Sequence, residues 1–178
     1  MSIPAATYHF FSLCLLYPEA ELTEQLRQLA SQTGFDWAAD LVAAFADASL
    51  DDLQVEHTRL FVNNAGGIPC PPYESAYVEG HLMSATTAAV AAFYAEWGLE
   101  QSLETTDFLP VELQFVAYLI ELAGQADDPG AVEAARHRFE TKHLSRWLPK
   151  FSTDLQAHAQ LPFYRSVGKQ LGIVAAGF

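Results

Sequence analysis

The chain has no apolar run approaching the roughly 18 residues a membrane-spanning helix needs. It has no GxxxxGK[ST] phosphate-binding loop, no GxSxG elbow and no HExxH pair. No stretch of strand length alternates apolar and polar residues, so GxGxxG after a strand has no place either. Cysteine is scarce: only Cys14 and Cys70 occur. Two isolated cysteines build neither a disulfide framework nor a zinc site. Cys14 sits in an apolar helical run and reads as a small buried hydrophobe, and a reducing cytoplasm suits both. Basic residues are almost missing from most of the chain. Residues 1–135 hold two bases, Arg27 and Arg59, against 20 acids, a balance of −18; residues 136–178 hold seven bases against two acids, +5. With a net charge of −13, the field disfavours nucleic acid and anionic membranes and favours a cationic partner; it also keeps an apolar protein soluble. The N-terminal stretch lacks a basic leader region, and its apolar run ends at Tyr17-Pro18-Glu19 rather than at small residues. It reads as a buried first helix, not a cleaved signal.

What is present is hydrophobic and helical. Of the 178 residues, 51% are hydrophobic and 12% aromatic, enough for a packed core and too much for disorder. One domain, 1–178, is the natural expectation. The apolar period predicts helices over 3–17, 20–32, 35–47, 50–63, 83–98, 108–125, 130–146, 148–159 and 161–174. This makes an all-α, single-domain bundle of about eight to ten helices. Ser49 stands where a helix N-cap belongs, ahead of Asp51 and Asp52. Asp107 stands where it can cap the helix after it, with Pro110 in that helix's first turn. One long Pro-rich loop, about 64–80, interrupts the helices, and loops of that length inside compact domains are usually functional.

Metal chemistry has little footing. A di-iron bundle needs two Glu-x-x-His motifs and two further glutamates; the chain offers one, Glu140-Thr141-Lys142-His143. Nothing in the sequence calls for a bound cofactor.

Three segments carry a family resemblance. The first is Glu56-His57-Thr58-Arg59-Leu60-Phe61-Val62 followed by Pro71-Pro72-Tyr73-Glu74-Ser75-Ala76-Tyr77. The second is Phe93-Tyr94-Ala95-Glu96-Trp97-Gly98-Leu99 followed by Asp107-Phe108-Leu109-Pro110-Val111-Glu112-Leu113-Gln114-Phe115. The third is Phe139-Glu140-Thr141-Lys142-His143-Leu144-Ser145-Arg146-Trp147-Leu148-Pro149 followed by Pro162-Phe163-Tyr164. In order and spacing they resemble the TorD/DmsD/NarJ family of redox-enzyme maturation chaperones. The retained Pro-Pro-Tyr loop is closer to the TorD/DmsD-like members. Two positions depart: Phe108 replaces a histidine that the family links to client recognition, and Thr106 replaces a common proline.

The resemblance implies a cytoplasmic chaperone and not an enzyme. Its partner would be the catalytic subunit of a molybdenum-containing oxidoreductase. It would bind the twin-arginine signal peptide and the apo form, holding them for cofactor insertion before export. A cationic then apolar peptide calls for an acidic rim beside an aromatic groove. Glu74, Glu79, Asp107 and Glu112 are expected to meet the arginines. Tyr73, Tyr77, Phe108 and Pro110 are expected to meet the apolar part, with Pro72 and Ser75 completing the loop. Tyr73, Ser75 or Tyr77 should then lie close to Asp107 or Glu112. A helical metal-binding enzyme and a general acidic adaptor are the alternatives.

Overall fold

The computed structural model describes residues 3–100 and 106–178. Among them are ten α-helices: α1 (Ala5–Cys14), α2 (Leu22–Thr33), α3 (Asp36–Ala46), α4 (Leu50–His57), α5 (Glu74–Val78), α6 (Ala85–Ala95), α7 (Leu109–Ala123), α8 (Pro129–Phe139), α9 (Ser145–His158) and α10 (Pro162–Ala175). The only β-type pairing among the described residues is an isolated antiparallel bridge between Tyr73 and Phe108. The all-α expectation holds. No helix among these residues is long and apolar enough to cross a membrane.

The helix α1 is apolar on most sides and packs against α2, α7 and α10. Its Tyr8, Phe10, Phe11 and Cys14 are all buried, as expected of a helix enclosed by others. The helix α4 begins as the sequence predicts, with Ser49 Oγ accepting from the Asp52 amide at 3.1 Å.

Two π-helical turns alter the expected boundaries. Thr58–Val62 extends α4, and Glu140–Leu144 joins α8 to α9. The break expected between residues 146 and 148 is therefore absent, and Pro149 lies within α9. A proline in a helix lacks one amide and crowds the carbonyl four residues earlier. Here that carbonyl belongs to Ser145, where the wide turn hands its hydrogen bonds over to α9, and a helix can take up a proline there without ending.

The helices α9 and α10 pack closely against each other. Ser152 Oγ donates to the Gly168 carbonyl at 2.7 Å, and a Cβ added at Gly172 would stand 2.5 Å from that same Oγ. Glycine is what allows these two backbones to approach.

Candidate functional site

The loop before α5 and the start of α7 form one unit. Leu109 N–H donates to the Pro72 carbonyl at 2.9 Å, and Glu74 N–H donates to the Asp107 carbonyl at 3.1 Å. This is the Tyr73–Phe108 bridge, and it sets the two rings 5.2 Å apart. Both side chains are half-buried. The expected meeting of the loop with the Asp107 region is thus present, although some 30 residues separate the two in sequence.

Asp107 does not cap its own helix. The α7 N-cap is Phe108, without a side-chain bond. The Asp107 carboxylate instead accepts from the Ser75 amide at 2.8 Å and from the Thr87 hydroxyl at 2.9 Å. With its carbonyl on Glu74 N–H, Asp107 satisfies two free amides at the start of α5. A five-residue helix cannot sustain itself; α5, in the middle of the loop expected to lack regular structure, depends on this borrowed cap. The rest of 64–80 is irregular, as expected.

Beneath the bridge lies a buried polar cluster. Glu74 and Glu112 are both 0% exposed and Asp107 is 2% exposed. His143 Nδ1 lies 2.9 Å from Glu74 Oε2, and the Arg146 guanidinium lies 3.9 Å from Oε1. The polar neighbours of Glu112 are Glu74, Asp107 and the indole of Trp147, and none makes a well-formed hydrogen bond to it. Burial, first, and the neighbouring carboxylates, second, raise the Glu112 pKa well above the ordinary range. Burial and its carboxylate neighbours therefore disfavour ionisation of Glu112.

Of the four carboxylates expected to form an acidic rim, three lie inside the protein. Only Glu79 is exposed, and it too is engaged. One of its oxygens accepts from the Thr86 amide at 2.8 Å and the Thr86 hydroxyl at 2.5 Å, at the start of α6. Those bonds, with help from Ser84, pull its pKa down to about 2. Pro72 and Pro110 are buried, the latter in the first turn of α7 as expected. Ser75 is buried and Tyr77 half-buried, its ring 5.3 Å from Trp147. Leu82 and Met83 stand exposed between α5 and α6.

Sequence reasoning missed His143 as the partner of Glu74, and Thr87 as a support for Asp107. The signal for His143 was its spacing of three from Glu140, which puts both on the inner side of one helix. The two engage different partners. Glu140 binds Arg136 at 2.8 Å and accepts from Tyr8 at 3.1 Å, while His143 turns to Glu74.

Comparison with known proteins agrees with this architecture. The family model for the nitrate reductase delta subunit matches residues 18–153. Chaperone protein YcdY of Escherichia coli (strain K12) is 28% identical over 118 residues, a match spanning 66% of this chain and 58% of that one. The match therefore covers less than two thirds of that relative. The fold matches a crystal structure described as a candidate redox enzyme maturation protein from Archaeoglobus fulgidus, with a TM-score of 0.74 at 22% identity, covering 99% of this chain and 96% of the other. These relatives are named as a chaperone and a maturation protein, not as catalysts. With a family match over most of its length, this chain belongs to the nitrate reductase delta subunit family, the NarJ/TorD type that its three segments resemble.

Proposed function

We propose that this protein is a cytoplasmic maturation chaperone for a molybdenum-containing oxidoreductase. On this reading it binds the twin-arginine signal peptide and apo form of the catalytic subunit before export. Family membership supports the general role. The observation that carries the site is the half-exposed Tyr73–Phe108 pair, held by a two-bond backbone bridge over a buried polar base. Rigid aromatic rings on a fixed backbone offer apolar contact at little entropic cost. Tyr73, Phe108, Tyr77 and Glu79 supply the direct contacts. Pro72, Glu74, Ser75, Asp107, Pro110 and Glu112 position them from below. Phe108, standing where the family has histidine, contributes apolar surface in place of a polar group.

The test is calorimetric titration of a twin-arginine signal peptide, and of the same peptide with both arginines replaced by glutamine. Tyr73→Ala and Phe108→Ala should each weaken the arginine peptide by roughly 1–3 kcal/mol if they are anchors, with melting temperatures followed as control. Unchanged affinity in both variants refutes the site. Equal binding of the two peptides refutes twin-arginine recognition.

A further inference from the structure

Four of the seven bases of residues 136–178 fall in one row. Through Glu140–Leu144 the helix from Pro129 to His158 is continuous. Along it the buried residues recur in pairs every four positions: Phe139 and Glu140, His143 and Leu144, Trp147 and Leu148, Phe151 and Ser152. In a regular α-helix a four-residue spacing drifts about 40° per step. The π-helical turn, with more residues per turn, takes up part of that drift. The same alignment places Arg138, Lys142, Arg146 and Lys150, all exposed, in one row on the outer face. Twelve residues at 1.5 Å each make the row about 18 Å long.

The row is held in place by its surroundings. The Arg138 guanidinium lies 4.7 Å from the centre of the Phe93 ring, and Lys150 Nζ lies 5.7 Å from that of Tyr77. Arg138 pairs with Glu96 at 2.6 Å, and Lys150 pairs with Asp154 at 2.8 Å. Lys142 has no ion pair among the described residues, and Arg146 reaches the buried Glu74 only at 3.9 Å. Three of the four charges thus already face a carboxylate, Arg146 at the longest distance, and Lys142 remains available.

We infer that this row is a docking surface for a carboxylate-rich segment of the client polypeptide, separate from the signal-peptide contact. The inference rests on the chaperone reading for the partner being a polypeptide. The chemistry of the partner comes from the row. Glutamates four residues apart on a helix repeat every 6 Å, the spacing of these bases. A small anion would need a concave site, and the row is the outer face of a helix. A nucleic acid or an anionic membrane would extend its charge past the row onto the rest of a surface whose net charge is −13, whereas a short acidic segment need face only the row. Because Lys150 lies over Tyr77, the row borders the loop, and one polypeptide can touch both.

The experiment uses the full chain and two fluorescent helical peptides of identical composition. One carries glutamate at every fourth position and the other carries the glutamates dispersed around the helix. Binding is read by anisotropy at low and at physiological ionic strength. The aligned peptide should bind better than the dispersed one and weaken with salt. Lys142→Glu should weaken it a few-fold, and Lys142→Glu with Lys150→Gln roughly tenfold. Titration of the twin-arginine peptide should be unaffected by Lys142→Glu, which separates failure of this inference from failure of the chaperone reading. Equal binding of the two peptides, or no effect of Lys142→Glu, overturns the inference. So does tighter binding of inorganic triphosphate than of the aligned peptide. A low-salt dimer that Lys142→Glu abolishes would also overturn it, by giving the row to a second copy of this chain.

Discussion

Glu112→Gln isolates the buried acid pair. The side chain of Glu112 is fully buried, with both oxygens lacking hydrogen bonds, and its pKa is raised by burial and then by Glu74. The sign follows from linkage. Between the unfolded pKa near 4.5 and the raised folded value, the native state binds one more proton than the unfolded chain. The contribution is therefore fully present below the unfolded pKa and is lost as pH rises through the folded one. One proton corresponds to about 1.4 kcal/mol per pH unit. Across pH 5 to 8 the loss reaches at most about 4 kcal/mol, against a typical total stability of 5–15 kcal/mol. Glutamine keeps the shape, cannot ionise, and can donate to Glu74 Oε1, which has no hydrogen-bond partner of its own. Urea denaturation at several pH values should show the variant equal to wild type near pH 5 and increasingly more stable than it toward pH 8. Subtracting the two curves removes the other titrating groups, among them His57, whose pKa burial lowers. Parallel curves would refute the argument. So would a uniform destabilisation by glutamine, which would mean that Glu112 is ionised and paired.

Three further outcomes follow from the packing. Gly172→Ala should cost about 1–3 kcal/mol by overpacking against Ser152 Oγ, and combining it with Ser152→Ala should recover part of the loss in a thermal melt. Asp107→Asn, a mild change for a residue capping its own helix, should here lower stability by about 1.5–3 kcal/mol, because the Ser75 amide and Thr87 hydroxyl share one buried carboxylate; hydrogen exchange should show α5 losing protection first. Glu79, with its pKa lowered to about 2, contributes stability above its unfolded pKa that is lost as pH falls through the folded one. The melting difference between wild type and Glu79→Gln should accordingly be present at neutral pH and vanish near pH 2.

The helices were legible because their apolar spacing is regular, and the loop because of its prolines and aromatics. Pro149 misled because a proline normally ends a helix, and no local residue announces that a π-helical turn precedes it. The loop and Asp107 were correctly expected to meet, since the resemblance treats both as one site. The side on which their carboxylates lie was not legible. Charge in a sequence reads as surface, yet Glu74 and Glu112 follow the inner face of α5 and α7. Nothing local in the short segment Glu74–Val78 shows that it can form a helix, because the cap comes from Asp107, far along the chain.

The same pattern recurs and changes the meaning of the net charge. Glu56 Oε1 accepts from the amides of Gln160 and Leu161, at the start of α10, and its other oxygen from Arg59 at 2.8 Å. Burial opposes its ionisation, but Arg59 and those amides win and lower its pKa. Neither α5 nor α10 has a side-chain cap of its own. Glu56, Glu79 and Asp107 are thus each directed at the start of a helix to which they do not belong, where free amides favour a negative charge. Acids used in this way are poorly placed to draw in a cationic peptide. Beside Tyr77 the outer face carries Lys150, with Asp154 already paired to it. If the signal peptide docks on Tyr73 and Phe108, its arginines find mainly the exposed carboxylate of Glu79. One exposed pair is worth about 0.2–1 kcal/mol and is screened by salt. Signal-peptide affinity measured from low to physiological ionic strength should therefore weaken only a few-fold, while Tyr73→Ala weakens it more at every salt concentration. A steep salt dependence that survives Glu79→Gln would mean that the arginines bind elsewhere on the acidic surface, and the docking site proposed at the Tyr73–Phe108 bridge would fail.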